Sequence, residues 1–349
     1  NFSGSAGFAI ILKNRNYLFV DGRYTLQARR ESGKTFKIVE ISKLLPKNLF
    51  QHVTLGFDPN LYTDLQLQYF FGKKIKLIPI KKNLVDLLEK PKNKSFGRYY
   101  PLSKVIVGKS QKYKISEVSN IIKKNKSDYL FITAPENVSW LLNIRGSDVP
   151  FSPITNCYCL VGKDKKILLI GEKNKFKNLL KKGIISKSQI TNPKNLINTL
   201  KNLKGKNFII DEKTCSFFNE RLIAKKFHIK SRVDPCYLLK AKKNIAEIQN
   251  MIKSHIEDGV ALTKFIFWIK NNKSQNLTEL NAEKKLESLR KLNKNYLYPS
   301  FNTIAGSGPN GAIIHYRATN KTNRKIKKKD IFLCDSGGQY KYGTTDVTR

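Results

Sequence analysis

Cysteine is scarce in this chain of 349 residues, with five at Cys157, Cys159, Cys215, Cys236 and Cys334. An odd number without regular spacing excludes a disulfide framework, and Cys157-x-Cys159 has no second pair to complete a zinc site, so a reducing compartment is expected. Long apolar runs are missing too: none approaches the roughly eighteen residues of a membrane-spanning helix, so no helical span is expected within these residues. The first residues, "NFSGSAG", carry no signal-peptide pattern, although a chain beginning on Asn is expected to have lost its true start. Acidic residues are in short supply, 26 Asp and Glu against 66 Lys and Arg, for a formal charge of +40. Such a charge raises nucleic acid as a partner. Here the basic residues are mostly Lys, spread along the whole chain among many Asn, with no Arg cluster or groove-entering motif. They read as a solvated surface, and the densest run, "KTNRKIKKK" at 321 to 329, as an exposed loop before a strand.

What the chain does have is enough apolar material, 40% of its residues, to fill more than one core. Patterning divides it into three sections. Residues 1–97 alternate short β-type runs ("GFAIIL", "NYLFVDG") with Leu-rich helical stretches such as "NLVDLLEK". Residues 98–238 repeat the mixture: "SDYLFITAP" is a strand closed by Pro135, "NCYCLVGKDKKILLIG" a hairpin over Gly162 to Lys165, "KNFIIDEKT" a buried strand, and "KFKNLLKKG" a helix that Gly183 ends. Residues 239–349 open on a long amphipathic helix, in which Ile248, Met251, Ile252, His255, Leu262, Phe265, Ile266 and Ile269 recur at helical spacing behind an Asn244-x-x-Glu247 capping box. A second helix follows, capped by Thr278 with Ala282, Leu286 and Leu289 as its inner stripe. The expected class is mixed α/β.

Several motifs carry no chemistry. "GKS" at 108 to 110 lacks the glycine five residues earlier that a phosphate loop needs, since that position is Ser103. "GSAG" at 4 to 7 reads as a tight turn between strands. His52, His228 and His255 have no partner at ligand spacing.

The closing stretch "DSGGQYKYGTTDVTR" is different. It reads as a strand, a Gly-rich turn and a second strand, with Asp335 and Asp346 equidistant from a centre near Tyr340 and Lys341 and so opposite each other on one face. Two carboxylates about 4 Å apart repel by roughly 4 kcal/mol at an effective dielectric of 20. A hard or borderline divalent cation such as Mn²⁺ turns that cost into an asset. The bland alternative is a turn-forming Asp335 and an exposed Asp346, and spacing alone leaves both readings open.

Together, "DSGGQYKYGTTDVTR", "SFNTIAGSGPNGAIIHYRAT", "NFSGSAGFAIILKNRNYLFVDGRYTLQA" and "WLLNIRGSDVP" closely resemble aminopeptidase P, the Xaa-Pro aminopeptidase branch of the creatinase and methionine aminopeptidase superfamily, metallopeptidase family M24. The resemblance covers nearly the whole chain. It implies two creatinase-like N-terminal α/β domains, 1–97 and 98–238, followed by the N-terminal part of a pita-bread catalytic domain, 239–349. It makes Asp335 and Asp346 ligands of a site for two divalent metal ions, Mn²⁺ by family, with Asp346 bridging them, and His315 the substrate-contacting histidine. The implied nucleophile is a metal-bridged hydroxide. The implied substrates are peptides with proline at the second position, and a cytoplasmic homodimer is implied as well. The family's remaining ligands, a His and two Glu, lie further toward the C-terminus, so the chain is expected to be an inactive, poorly soluble fragment of an enzyme. Two alternatives stay open at this point: a non-catalytic pita-bread module binding peptide, histone or nucleic acid, and a prolidase or creatinase-like hydrolase.

Overall fold

The computed structural model describes residues 2–88, 97–272 and 276–349. Glu89 and Lys90 of the first Leu-rich stretch lie outside them, as do Ser274 and Gln275 ahead of the Thr278 cap.

Alternating aromatic and branched residues make the first sheet. β1 (Gly7–Ile11) runs antiparallel to β2 (Asn16–Val20), which pairs in parallel with β3 (Phe36–Glu40). The parallel step requires a crossover, supplied by the helix Thr25–Glu31, and its Ala28 packs with Leu18, Val20 and Tyr24. A parallel pair, β4 (Thr54–Phe57) and β5 (Lys76–Pro79), belongs to the neighbouring core of Phe19, Phe57, Leu67 and Phe71. The "GSAG" stretch does not join two strands. It leads into β1, and no strand precedes it among the described residues.

The following strands are β6 (Tyr100–Pro101), β7 (Tyr129–Ile132), β8 (Ile144–Arg145), β9 (Tyr158–Gly162), β10 (Ile167–Ile170), β11 (Ile190–Thr191), β12 (Asn207–Ile210) and β13 (His228–Ser231). β6 and β8 pair with each other, and the other six form one mixed sheet in the order β11-β10-β9-β7-β12-β13. Apolar clusters cover both faces of that sheet, so its inner strands are almost uninterruptedly hydrophobic. The expected hairpin is β9–β10, with Lys165 in its turn at φ 68°. Pro135 stops β7 by opening the helix Pro135–Leu141 at its first turn. "GKS" is a joint between helices: Gly108 (φ 67°) closes Lys104–Val107 and Ser110 caps Gln111–Lys124. All five cysteines are free and buried.

In the last section the helix Ile245–Asn271 begins with the reciprocal Asn244/Glu247 capping box, at 3.1 and 2.9 Å. Its expected apolar stripe is inward only in the second half, at Leu262 and Phe265. Ile248 and Ile252 are 47% and 56% exposed, because Ser254 and Asp258 occupy the inner face of the first half. The helix Glu279–Arg290, capped by Thr278, buries Ala282 and Leu286 against Leu262 and Phe265. Two three-stranded sheets follow. β14 (Tyr296–Pro299), β17 (Gly338–Tyr340) and β18 (Gly343–Thr344) are ordered β14-β17-β18; β15 (Ile304–Ser307), β16 (Phe332–Ser336) and β19 (Val347–Thr348) are ordered β15-β16-β19. Among the described residues no helix is long and apolar enough to cross a membrane.

Candidate metal and substrate site

The closing hairpin keeps one register along its whole length. Asp335 pairs with Thr348, Ser336 with Val347, Gln339 with Thr344 and Tyr340 with Gly343. Its turn is therefore Lys341–Tyr342, and Gly337–Gly338 is not the turn but the point where the first arm passes from one sheet to the other. A Cβ on Gly337 would collide with the carbonyl oxygen of Thr345 and the Ser300 hydroxyl, so only glycine permits this approach. The expected pairing of Asp335 with Asp346 is thus displaced by two residues. Because side chains alternate along a strand, two residues is also the repeat that restores a face, and the carboxylates become diagonal neighbours on one side.

Which side follows from the packing. Phe332, Cys334 and Val347 lie against the helix pair with Leu262, Phe265 and Leu286. Leu333 lies on the other side, with Ile304, Ile313 and Tyr316. Asp335 and Asp346 alternate with the first group, so they face the side of the Ile313–Ala318 loop, which carries His315. The structure therefore brings the three residues singled out in the sequence to one side of one sheet.

Their environments differ. Asp346 is exposed, whereas Asp335 is half-buried between β15 and β19, and its Oδ1 is buried with no hydrogen-bond partner. A buried acceptor left unmatched costs about 1–3 kcal/mol, more when ionised. Carboxylate oxygens on one face, one of them otherwise unsatisfied, suit a hard divalent cation. Among the described residues no three His, Cys, Asp or Glu side chains gather as a complete ligand set. His315 is exposed, sits in left-handed backbone at φ 57°, and has Nδ1 2.7 Å from the Tyr24 hydroxyl.

Three buried charged residues hold this arrangement in place. Arg290 is 1% exposed. Its Nε donates to Asp258 Oδ1 at 2.7 Å, and its Nη2 donates to Asp258 Oδ2 at 3.0 Å and to Ser336 Oγ at 3.1 Å. Burial works against the guanidinium charge, but the hydrogen bonds and charge of Asp258 keep its pKa above the ordinary value. The Tyr340 hydroxyl also donates to Asp258 Oδ1, at 2.8 Å, so both arms of the bent strand hang on one carboxylate. Glu279, fully buried, organises the His315 loop. It accepts from the backbone amides of Ser307 (2.7 Å) and Arg324 (2.9 Å), from the Asn310 side chain (3.0 Å) and from the Tyr316 hydroxyl (2.9 Å). Burial, with the Glu279 charge beside it, pushes Tyr316 up to about 12.

Sequence reasoning missed Arg290, Asp258, Glu279 and Tyr24. A signal existed for Asp258, which interrupts the inner face of its helix in step with Ser254, Ala261, Leu262 and Phe265. None existed for Tyr24, which is 291 positions from the residue it touches.

Residues 89–247 match the Creatinase/Prolidase N-terminal domain and residues 249–349 match Metallopeptidase family M24. The whole chain aligns with Xaa-Pro aminopeptidase ApepP of Drosophila melanogaster at 33% identity and with Xaa-Pro aminopeptidase 1 of Dictyostelium discoideum at 33%, spanning 60% and 59% of those relatives. An X-prolyl aminopeptidase from Caenorhabditis elegans, described as a cytosolic enzyme with a di-nuclear active site, superposes on the whole chain with a TM-score of 0.88 at 27% identity, and the chain covers 60% of it. A prolidase from Pyrococcus horikoshii shares the fold over 68% of the chain, with a TM-score of 0.53 at 21% identity.

Proposed function

We propose, from the match of residues 249–349 to Metallopeptidase family M24 and of residues 89–247 to the Creatinase/Prolidase N-terminal domain, that the complete protein is a member of that family and a metal-dependent Xaa-Pro aminopeptidase. It would hydrolyse the bond between an N-terminal residue and a following proline. The chain spans about 60% of the relatives it resembles, and the remaining ligands, a His and two Glu, are proposed to come from the portion it does not span.

The observation that carries this reading is the unpartnered, buried Oδ1 of Asp335 on the same face as Asp346. In the proposed site both carboxylates would hold divalent ions. Mn²⁺ is the metal proposed, on the oxygen-rich donor set. When bound, such ions polarise the scissile carbonyl and lower the pKa of coordinated water. The residues of this chain do the rest. Asp335, whose neighbour Ser336 accepts from Arg290, would supply one carboxylate. His315, on the same side, would hydrogen-bond the reacting amide. A cytosolic homodimer and the division near residues 97 and 238 are further parts of this proposal.

The test is Asp346→Ala in the complete protein, assayed on an Xaa-Pro peptide with Mn²⁺ supplied. The variant should lose cleavage by at least 10²-fold, the scale on which removal of one electrostatic catalytic contact is felt, while its thermal unfolding without metal matches that of the unmodified protein. Near-normal turnover would reject the assignment.

A further inference from the structure

We propose that Tyr24 is a positioning residue for His315, holding the neutral imidazole in the tautomer that carries its proton on Nε2, so that the ring offers a donor to the carbonyl oxygen of an Xaa-Pro bond. The proposal rests on the aminopeptidase reading above and adds to it a residue from the far end of the chain.

Tyr24 is built to hold still. It is 1% exposed, packs with Leu18, Val20 and Ala28, and meets the edge of Phe2 at a centroid distance of 6.0 Å. Its hydroxyl lies between two partners, 2.5 Å from Ser5 Oγ and 2.7 Å from His315 Nδ1. The "GSAG" stretch thus contributes the serine at the outer end of a short relay.

A hydroxyl has one proton, so two arrangements are available. Either Nδ1–H donates to Tyr24, which donates to Ser5, or Ser5 donates to Tyr24, which donates to Nδ1. The second matches the stronger donor of the two hydroxyls, the phenol, with the strongest acceptor of the set, the imidazole sp² nitrogen. With Nδ1 occupied as an acceptor, the ring proton must sit on Nε2. The nearby carboxylate that could compete, Asp21, is engaged by Arg23 at 2.8 Å.

Substrate chemistry gives the tautomer its purpose. The amide that joins a residue to proline has no N–H and can only accept hydrogen bonds. An imidazole presenting a bare nitrogen would have nothing to bind there, whereas one presenting N–H can hydrogen-bond the carbonyl oxygen as negative charge develops on it. The left-handed backbone of His315 is tied down by a turn in which Tyr316 N–H donates to the Ile313 carbonyl at 3.1 Å, and a buried phenol then selects the proton position.

In long-range ¹⁵N–¹H spectra of the complete protein, the His315 ring is identified as the one that His315→Gln removes. We expect it to show the Nε2–H tautomer, Tyr24→Phe to give a mixture of the two tautomers, and Ser5→Ala to move the spectrum the same way by less. His52, His228 and His255 should be unchanged and so report intact folding. In the complete protein, Tyr24→Phe should lower kcat on an Xaa-Pro peptide roughly tenfold at little-changed KM, about what one hydrogen bond to a polarised group is worth. An Nδ1–H ring in the unmodified protein, or a spectrum indifferent to Tyr24→Phe, would overturn the proposal. A complete protein that cleaves no Xaa-Pro peptide while the tautomer still depends on Tyr24 would reject the aminopeptidase reading and leave the positioning contact standing.

Discussion

Arg290 grips Asp258 by two charge-assisted hydrogen bonds inside the last section of the chain, Nε to Oδ1 at 2.7 Å and Nη2 to Oδ2 at 3.0 Å. The same guanidinium reaches Ser336, the neighbour of Asp335, and the same carboxylate receives Tyr340. One buried ion pair thereby fixes the register of the hairpin on which the proposed metal site depends.

Removing one partner of a buried pair strands the other. Arg290→Leu should destabilise the chain by about 3–5 kcal/mol, and the double variant with Asp258→Leu should recover part of that loss. Denaturant unfolding of both variants measures it. A double variant whose loss equals the sum of the losses of Arg290→Leu and Asp258→Leu measured singly would show that the pair is not energetically coupled.

Asp335 should behave in the opposite sense. With Oδ1 buried and unpartnered, Asp335→Asn removes a desolvated charge, so thermal unfolding without metal should occur at an equal or higher temperature. In the complete protein, the increase in Tm that Mn²⁺ gives should vanish in the same variant. A variant less stable without metal but still stabilised by Mn²⁺ would reject a ligand role.

Glu279 accepts at both oxygens, and a glutamine there would turn an amide NH₂ toward donors. Glu279→Gln should cost about 1–3 kcal/mol and speed hydrogen exchange at the Ser307 and Arg324 amides, which lose a charged acceptor. Unchanged protection at both amides would mean that the His315 loop is held by other contacts.

Lys114 sets a pH dependence. Burial holds its pKa down at about 8, against an ordinary 10.5, while Nζ donates to the Trp140 carbonyl at 3.0 Å and Asn143 Oδ1 at 2.7 Å. Between about pH 8 and 10.5 the unfolded chain binds more protons at this position than the folded one. The contribution of Lys114 to stability therefore rises with pH across that window. Buried thiols such as Cys157, pushed up to about 12 by burial, act the other way, so the observable is a difference. The stability of Lys114→Met relative to the unmodified chain should fall steadily from pH 8 to 10.5, and a flat difference would reject the shifted lysine.

Local physical chemistry was legible in the residues alone. Both long helices begin at the predicted caps, because a capping box needs only neighbours three positions apart. The hairpin at Gly162 and the strand stop at Pro135 follow from turn and ring geometry of the same short range. The two aspartates could be nominated from motif resemblance, but their pairing could not. The register depends on Gly337 passing close to Thr345 and on Tyr340 reaching Asp258, contacts that no spacing rule contains. The inner face of the helix Ile245–Asn271 was misread in its first half for a related reason, since Asp258 is buried only because Arg290 meets it there.

By itself, then, the sequence determined the elements and their caps, because these depend on a few adjacent residues, and it nominated the two carboxylates by resemblance. Only the tertiary structure decided that Asp335 and Asp346 are diagonal rather than opposed, that Glu279 and Arg290 are buried and matched, and that Tyr24 touches His315 across 291 positions. A buried polar group is stable only where distant partners happen to meet it, and folding alone arranges that meeting.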